Sequence, residues 1–386
     1  MRPDTVAAST WTHDSPNRAY IPAVDHLRAG FAMLILVYHG WHMLWYRMVF
    51  GQPFQVQPWP IVDNPLLAFI LEGHTAVGAF MVLSGFIFVH GTQNTHIAYW
   101  PFLRNRLLRI YPMYLLVVFL GASLTPQQDV AAGMVRYVLP LANYGPVLFG
   151  VPAVMAWAVA VEFQFYLVFP LLHALLRRHG SWLLMRMVLL AIVLRLLLVL
   201  GGQDVTVLSY LTIAGRIDQF LLGMAAGYWL PWLIHRVSHL RWHVVPAALL
   251  ILAGSYAFHR AGGWPNTTWW RALWPTAEGL AWSWFVLAYV AFGPSVPALL
   301  SRVLCWVGQI SFSLYLLHGM VIDAVGVRQW MPRVTNNPYV DALLVTLLIV
   351  VPLSLALAAF AYRVIEVPFL GLRRRYTGGE AAVTSG

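Results

Sequence analysis

Residues 25–46, DHLRAGFAMLILVYHGWHMLWY, are long and apolar enough to cross a membrane, yet Arg28 stands near the start of the run and His39 in its middle. Ionisable side chains at that depth usually face a cavity or a partner, which makes both residues functional candidates. His39 follows Arg28 by eleven residues. At 100° per residue, eleven steps return to within about 20° of the same helix face, with about 16 Å between the two along the axis. One stripe therefore carries an arginine at the membrane surface and a histidine near the midplane. A neutral histidine hydrogen-bonded between helices is the structural alternative.

The rest of the chain places that run in context. Of 386 residues, 60% are hydrophobic and 10% charged, and mean hydropathy is +0.68, too apolar for a soluble domain. Apolar runs recur at about 27–50, 66–90, 107–124, 153–176, 182–200, 210–233, 244–258, 274–292, 304–326 and 339–362. This predicts an all-α polytopic membrane protein of about ten transmembrane helices enclosing a central cavity, multi-pass in a bacterial cytoplasmic membrane. Residues 1–24 contain no apolar core for a cleavable leader, so the first span is expected to direct insertion and leave the tail cytoplasmic. With both termini inside, most arginines fall on the cytoplasmic side, as the positive-inside rule requires. The expected organisation is a tail at 1–24, a membrane domain at 25–370 and a second cytoplasmic tail at 371–386. Residues 134–150, MVRYVLPLANYGPVLFG, are broken by Pro140, Gly145 and Pro146 and read as an outer interfacial or re-entrant segment.

All 24 Lys+Arg residues are arginine, with a formal charge of +10. Schiff-base chemistry is thereby excluded, and an anionic ligand must be held by Arg, His or backbone donors. Cys305 has no partner for an intrachain disulfide and reads as a packing residue.

Two further groups join Arg28 and His39. Glu162, in WAVAVEFQFYLVFPLL, falls near the midplane. A carboxylate beside an imidazole orients the ring and favours its protonated form, as acyl transfer to a hydroxyl requires; a structural Glu162 paired with Trp157, Gln164 or Tyr166 is the alternative. In YWPFLRNRLLRIYP, Arg106 and Arg109 share a helix face and Arg104 precedes them, on the membrane side of Arg28. Topological anchoring explains such a run equally well.

These segments resemble the integral-membrane acyltransferase 3 family. DHLRAGFAMLILVYH resembles its Arg-x10-His opening, VGAFMVLSGF its Ser-Gly-Phe motif, RNRLLRIYP its Arg-x-x-Arg-Ile-Tyr-Pro motif and WAVAVEFQFYLVFP its Trp-Ser-Leu-x-x-Glu-x-x-Phe-Tyr motif; GRIDQFLLGM, VGQISFSLYLLH and YRVIEVPF follow in order. The resemblance covers about residues 24–370 and implies an O-acyltransferase that takes an acetyl or other short acyl group from cytoplasmic acyl-CoA. It implies His39 as catalytic residue, Arg28 as its signature partner, Arg106 and Arg109 as phosphate contacts, and Glu162 as second catalytic carboxylate or support. Departures are His26 for a common Gly, Met81 for Phe, Ala158 for Ser and Phe312 for Tyr.

Supporting candidates are Asp25, three residues before Arg28 and placed to fix its guanidinium; Ser84, a hydrogen-bond donor or a packing residue beside Gly85; Tyr166; and Tyr315 and His318, in the ninth span. Arg216 and Asp218 are read as acceptor-side residues or an internal ion pair, and Glu366 as holding a cytoplasmic arginine. The expected mechanism docks acyl-CoA on Arg28, Arg104, Arg106 and Arg109 and passes its thioester to His39, the general base for a glycan or glycolipid hydroxyl. No bound cofactor, metal or nucleic acid is expected; membrane lipid is. Rival readings are a proton-coupled solute or glycan transporter, which calls for repeated halves and paired broken helices absent from the sequence pattern, and a non-catalytic sensor of anionic ligands.

Overall fold

The helix that decides the fold, α1 (Pro22–Phe50), begins with proline in its first turn, where the missing N–H is no loss. It ends at Gly51, whose left-handed backbone (φ 68°) lets its N–H reach the Arg47 carbonyl. A computed structural model describes residues 17, 19–124, 130–145, 147–148, 150 and 154–378. Most of the tail at 1–24, and residues 379–386 of the tail at 371–386, therefore lie outside the described residues, as do Pro146 and Phe149 of the 134–150 segment and residues 151–153.

After α1 come α2 (Pro65–Leu71), α3 (Thr75–Val89), α4 (Tyr99–Leu124), α5 (Val130–Val138), α6 (Ala156–His179), α7 (Trp182–Leu200), α8 (Val205–Leu211) and α9 (Ile213–Arg236). The series closes with α10 (Val244–Arg260), α11 (Trp274–Phe292), α12 (Ala298–Gln309), α13 (Ser311–Val327) and α14 (Pro338–Leu370), the last containing two π-helical turns. A helix or bent helix pair thus occupies each expected span. Among the described residues five helices are long and apolar enough to cross a membrane, or eight if each bent pair counts as one span. Two long helices fall outside that set: α1, which carries Arg28 and three histidines, and α11, which carries Glu278.

Two expectations need correction. The chain is nearly, not wholly, α-helical: β1 (His96–Ile97) pairs antiparallel with β2 (Thr377–Gly378). Asn105 reinforces this staple by donating to the Arg374 carbonyl at 2.6 Å and accepting its N–H at 3.0 Å, tying the C-terminal stretch to the start of α4. Broken helices, expected to be absent, are present: α2/α3 bend by 70°, α8/α9 by 41° and α12/α13 by 69°. None of the three breaks carries a proline, and each bent pair together is apolar enough to read as one span. At the first, a Cβ on Gly73 would lie 2.5 Å from the Tyr38 Cβ, so the break lets the chain press against α1.

Helix α3 is the hub. A Cβ on Gly85 would lie 2.1 Å from the Phe220 carbonyl oxygen, and one on Gly223 2.0 Å from that of Val82, so α3 and α9 meet backbone to backbone. Buried ion pairs stiffen the neighbouring layer. Arg195 donates to Asp218 at 2.7 Å, both fully buried, and Arg216 to Glu278 at 3.2 Å. Arg216 and Asp218 therefore belong to internal pairs, though not to one another.

Candidate active site

Among the described residues two sizeable cavities lie inside the helices and share Val77 and Tyr315, which line both. The first, about 130 Å³, opens at the Arg28 end of α1 and is lined by Arg28, Ser84, Arg106, Arg109, Glu162 and Tyr166 among others. The second, about 560 Å³, lies toward the other end of α1 and is lined by His39, His42, His74, Asn143, Trp157 and neighbours.

At the basic end, Asp25 accepts from Arg28 Nη1 at 2.7 Å across one helical turn. Arg109 donates to Glu366 Oε2 at 2.7 Å, and Ser313 Oγ donates to the other oxygen at 2.5 Å. Arg106 has no carboxylate partner among the described residues; its guanidinium lies over the rings of Phe88 (5.0 Å) and Phe102 (5.5 Å), and its Nε is buried without a hydrogen bond. Arg104 points away and donates to the Leu372 carbonyl at 3.0 Å. Arg373, not singled out by the sequence, joins this cluster: its guanidinium is pushed down to about 10, by burial first and then by Arg109 and Arg106. Concentrated, incompletely neutralised positive charge of this kind suits a polyphosphate.

Deeper in the first cavity Glu162 Oε1 accepts hydrogen bonds from Ser84 Oγ (2.8 Å) and from the Tyr166 hydroxyl, while Oε2 carries none among the described residues. No hydrogen bond joins Glu162 to His39. The two carboxyl and imidazole groups line different cavities, and the residue that holds His39 is His318.

That pair fixes where the proton sits. His318 Nδ1 faces the Leu314 carbonyl at 3.1 Å, so in the neutral ring it carries the hydrogen, and its Nε2 is a lone pair. His39 Nδ1 lies 2.9 Å from that Nε2 and must donate to it. His39 Nε2 is then a lone pair without a hydrogen-bond partner among the described residues, on a half-buried ring that lines the larger cavity. The Tyr315 hydroxyl donates to the Met155 carbonyl at 3.3 Å, holding its ring between the cavities.

Two residues that sequence reasoning left out, His42 and His74, line the larger cavity, with Glu72 and His259 bonded behind His74. Glu72 and His74, at the α2/α3 break, are joined by a hydrogen bond at 2.8 Å; Glu72 also takes His259 Nδ1 at 2.8 Å, and the His42 ring lies tilted against Trp59 with ring centres 4.6 Å apart. The signal was present as polar residues in an apolar run, but one break in the helix hid their depth. Among the described residues no three His, Cys, Asp or Glu side chains are grouped to hold a metal ion.

A family model described as an acyltransferase domain matches residues 21–361. The chain is also 30% identical over 131 residues to Acyltransferase MdmB of Streptomyces mycarofaciens, a stretch that covers 30% of this chain and 33% of that protein. The chain thus spans about a third of that relative's length. No solved structure matches.

Proposed function

The chain belongs to the acyltransferase 3 family, and on that premise we propose that it is a membrane O-acyltransferase moving an acetyl or other short acyl group from cytoplasmic acyl-CoA to a hydroxyl of an extracytoplasmic or lipid-linked glycan. Ten crossings with both termini cytoplasmic, in a bacterial inner membrane, put the basic cavity on the CoA side. Arg28, Arg106, Arg109 and Arg373 hold the nucleotide phosphates. Arg104, bonded to the tail, steadies this end. The pantetheine arm runs past Ser84 and Glu162, whose free Oε2 accepts from an amide N–H of the arm, and brings the thioester to Tyr315. The acceptor hydroxyl enters from the larger cavity. His39 Nε2 takes its proton as the oxygen attacks the thioester carbonyl, His318 keeps the imidazolium oriented, the C–S bond breaks, and CoA thiolate leaves toward the arginines.

The observation that carries this reading is the unbonded Nε2 of His39 on the wall of the larger cavity, which shares Val77 and Tyr315 with the basic one. The experiment is acyl transfer by purified protein in proteoliposomes: His39→Ala and His39→Gln insert and fold as wild type but lose transfer, and near-wild-type transfer by either ends the proposal. The three bent helix pairs favour one rival, a proton-coupled transporter. Solute flux in the same vesicles with no ester formed would decide for it.

A further inference from the structure

The larger cavity holds hydrogen-bonding groups that have no partner among the described residues. His42 (2% exposed), His74 (5%) and Asn143 (6%) all line it. Each buries a polar atom that no described residue meets: His42 Nε2, His74 Nδ1 and Asn143 Nδ2. Buried polar atoms are nearly always met by a partner, so three unmet ones around a single cavity are an unusual load unless something fills the space.

Their chemistry can be assigned. His259 Nε2 accepts the Val62 backbone N–H at 3.0 Å, so its Nδ1 carries the proton and donates to Glu72. His74 Nε2 donates to the other Glu72 oxygen, leaving Nδ1 as an acceptor in the neutral ring. Asn143 Oδ1 already accepts from Gln164 at 2.9 Å, leaving its amide hydrogens to donate. The wall therefore offers both an acceptor and a donor, which is what vicinal hydroxyls require. Arg47, the cation lining the cavity, is 3.9 Å from Asp323, so the site holds no uncompensated charge for an anion. The opposite requirement of a sugar ring, an apolar surface for its C–H face, is offered by Trp157 and Trp264, which line the cavity and pack against Tyr210 with ring centres 4.7 and 4.0 Å away. Arg271 fixes Trp264 by donating to its carbonyl.

Resting on the transfer reading above, we propose that this wall is the acceptor subsite: a neutral, polyhydroxylated sugar ring packs on Trp157 and Trp264, hydrogen-bonds to His42, His74 and Asn143, and turns one hydroxyl toward His39 Nε2.

The probes are neutral methyl hexosides and 6-deoxyhexosides, with cyclohexanol as a ring of similar size lacking vicinal hydroxyls, added to full-length protein in proteoliposomes. Docking is read by tryptophan fluorescence in wild type and in His39→Ala, and transfer by thiol release from acetyl-CoA. At least one glycoside is expected to change the fluorescence saturably in both proteins, with no effect of cyclohexanol. Asn143→Ala and His42→Phe should each raise the acceptor KM about tenfold, as expected for one lost hydrogen bond, while the acyl-CoA KM holds. Saturable docking without thiol release would sink the transfer reading and leave the subsite standing. Fluorescence unmoved by every glycoside, cyclohexanol competing equally, or variants with an unchanged acceptor KM would overturn the subsite.

Discussion

His39 and His318 meet edge to edge between α1 and α13, their rings 22° from parallel and joined from Nδ1 to Nε2 at 2.9 Å. The pair shares one proton, and the Leu314 carbonyl decides which ring lends its lone pair. In the proposed transfer His318 is thus a positioning residue. Its removal frees the His39 ring to flip and to take the wrong tautomer. His318→Ala should lower kcat by about 10²–10⁴ fold, bounded above by the loss seen when a base is held in the wrong tautomer, with the acyl-CoA KM little changed. His318→Gln, whose side-chain oxygen can still accept from Nδ1, should recover part of the rate. Equal kcat in all three proteins would remove His318 from the mechanism.

The helices were legible because long apolar runs leave little choice of structure, and α11 begins and ends with the 274–292 run. Contacts across the sequence were not. His318 lies 279 residues from His39, and nothing in either segment names the other. By contrast the Tyr166 hydrogen bond to Glu162 is one helical turn long and could be read as an alternative from spacing alone. Ser84 and Gly85 divide between them the two roles their motif allowed: the hydroxyl reaches Glu162 and the glycine meets Phe220. Arg373 escaped because its place depends on the tail turning back to pair with β1, a two-residue contact with no sequence signature.

The α3–α9 contact leaves no room for a methyl group. Gly223→Ala would push its Cβ to 2.0 Å from the Val82 carbonyl oxygen, which is backbone and cannot swing aside. The helices must part, and overpacking of this kind costs about 1–3 kcal/mol or more. The thermal midpoint of detergent-purified Gly223→Ala should fall by several degrees, and Gly223→Leu should fail to accumulate as folded protein. Gly30→Ala is the control, since a Cβ there meets nothing within 4 Å.

Arg195 and Asp218 have no exposed side-chain surface, and Thr276 Oγ1 donates to the same Asp218 oxygen at 2.5 Å. Asp218→Asn leaves the guanidinium buried without a counter-charge, a loss of about 3–5 kcal/mol. Replacing both, Arg195→Leu with Asp218→Leu, should cost less than the single change. Thermal midpoints of wild type and the two variants measure this, and a double replacement that costs more than Asp218→Asn would show that the two charges do not act as a unit.

Arg106 and Arg109 sit one turn apart at the mouth of the smaller cavity but are not equivalent. Arg109 already has Glu366, itself held by Ser313, so part of its charge is spent inside the protein. Arg106 has only aromatic faces beneath it and an unmet Nε, leaving its full charge for a phosphate. Arg106→Ala should therefore raise the acyl-CoA KM more than Arg109→Ala, by about tenfold or above for one lost charge-assisted contact, with kcat at saturating donor largely kept. Arg109→Ala should show a second effect that Arg106→Ala lacks: Glu366 is left buried and unpaired, so the thermal midpoint falls, and Glu366→Gln in the same chain should restore part of it. Raising ionic strength should increase the donor KM of wild type more than that of Arg106→Ala, because the screened charge is the one removed. If Arg106→Ala instead loses kcat at saturating acyl-CoA with its KM intact, the basic mouth is not the place where the donor docks.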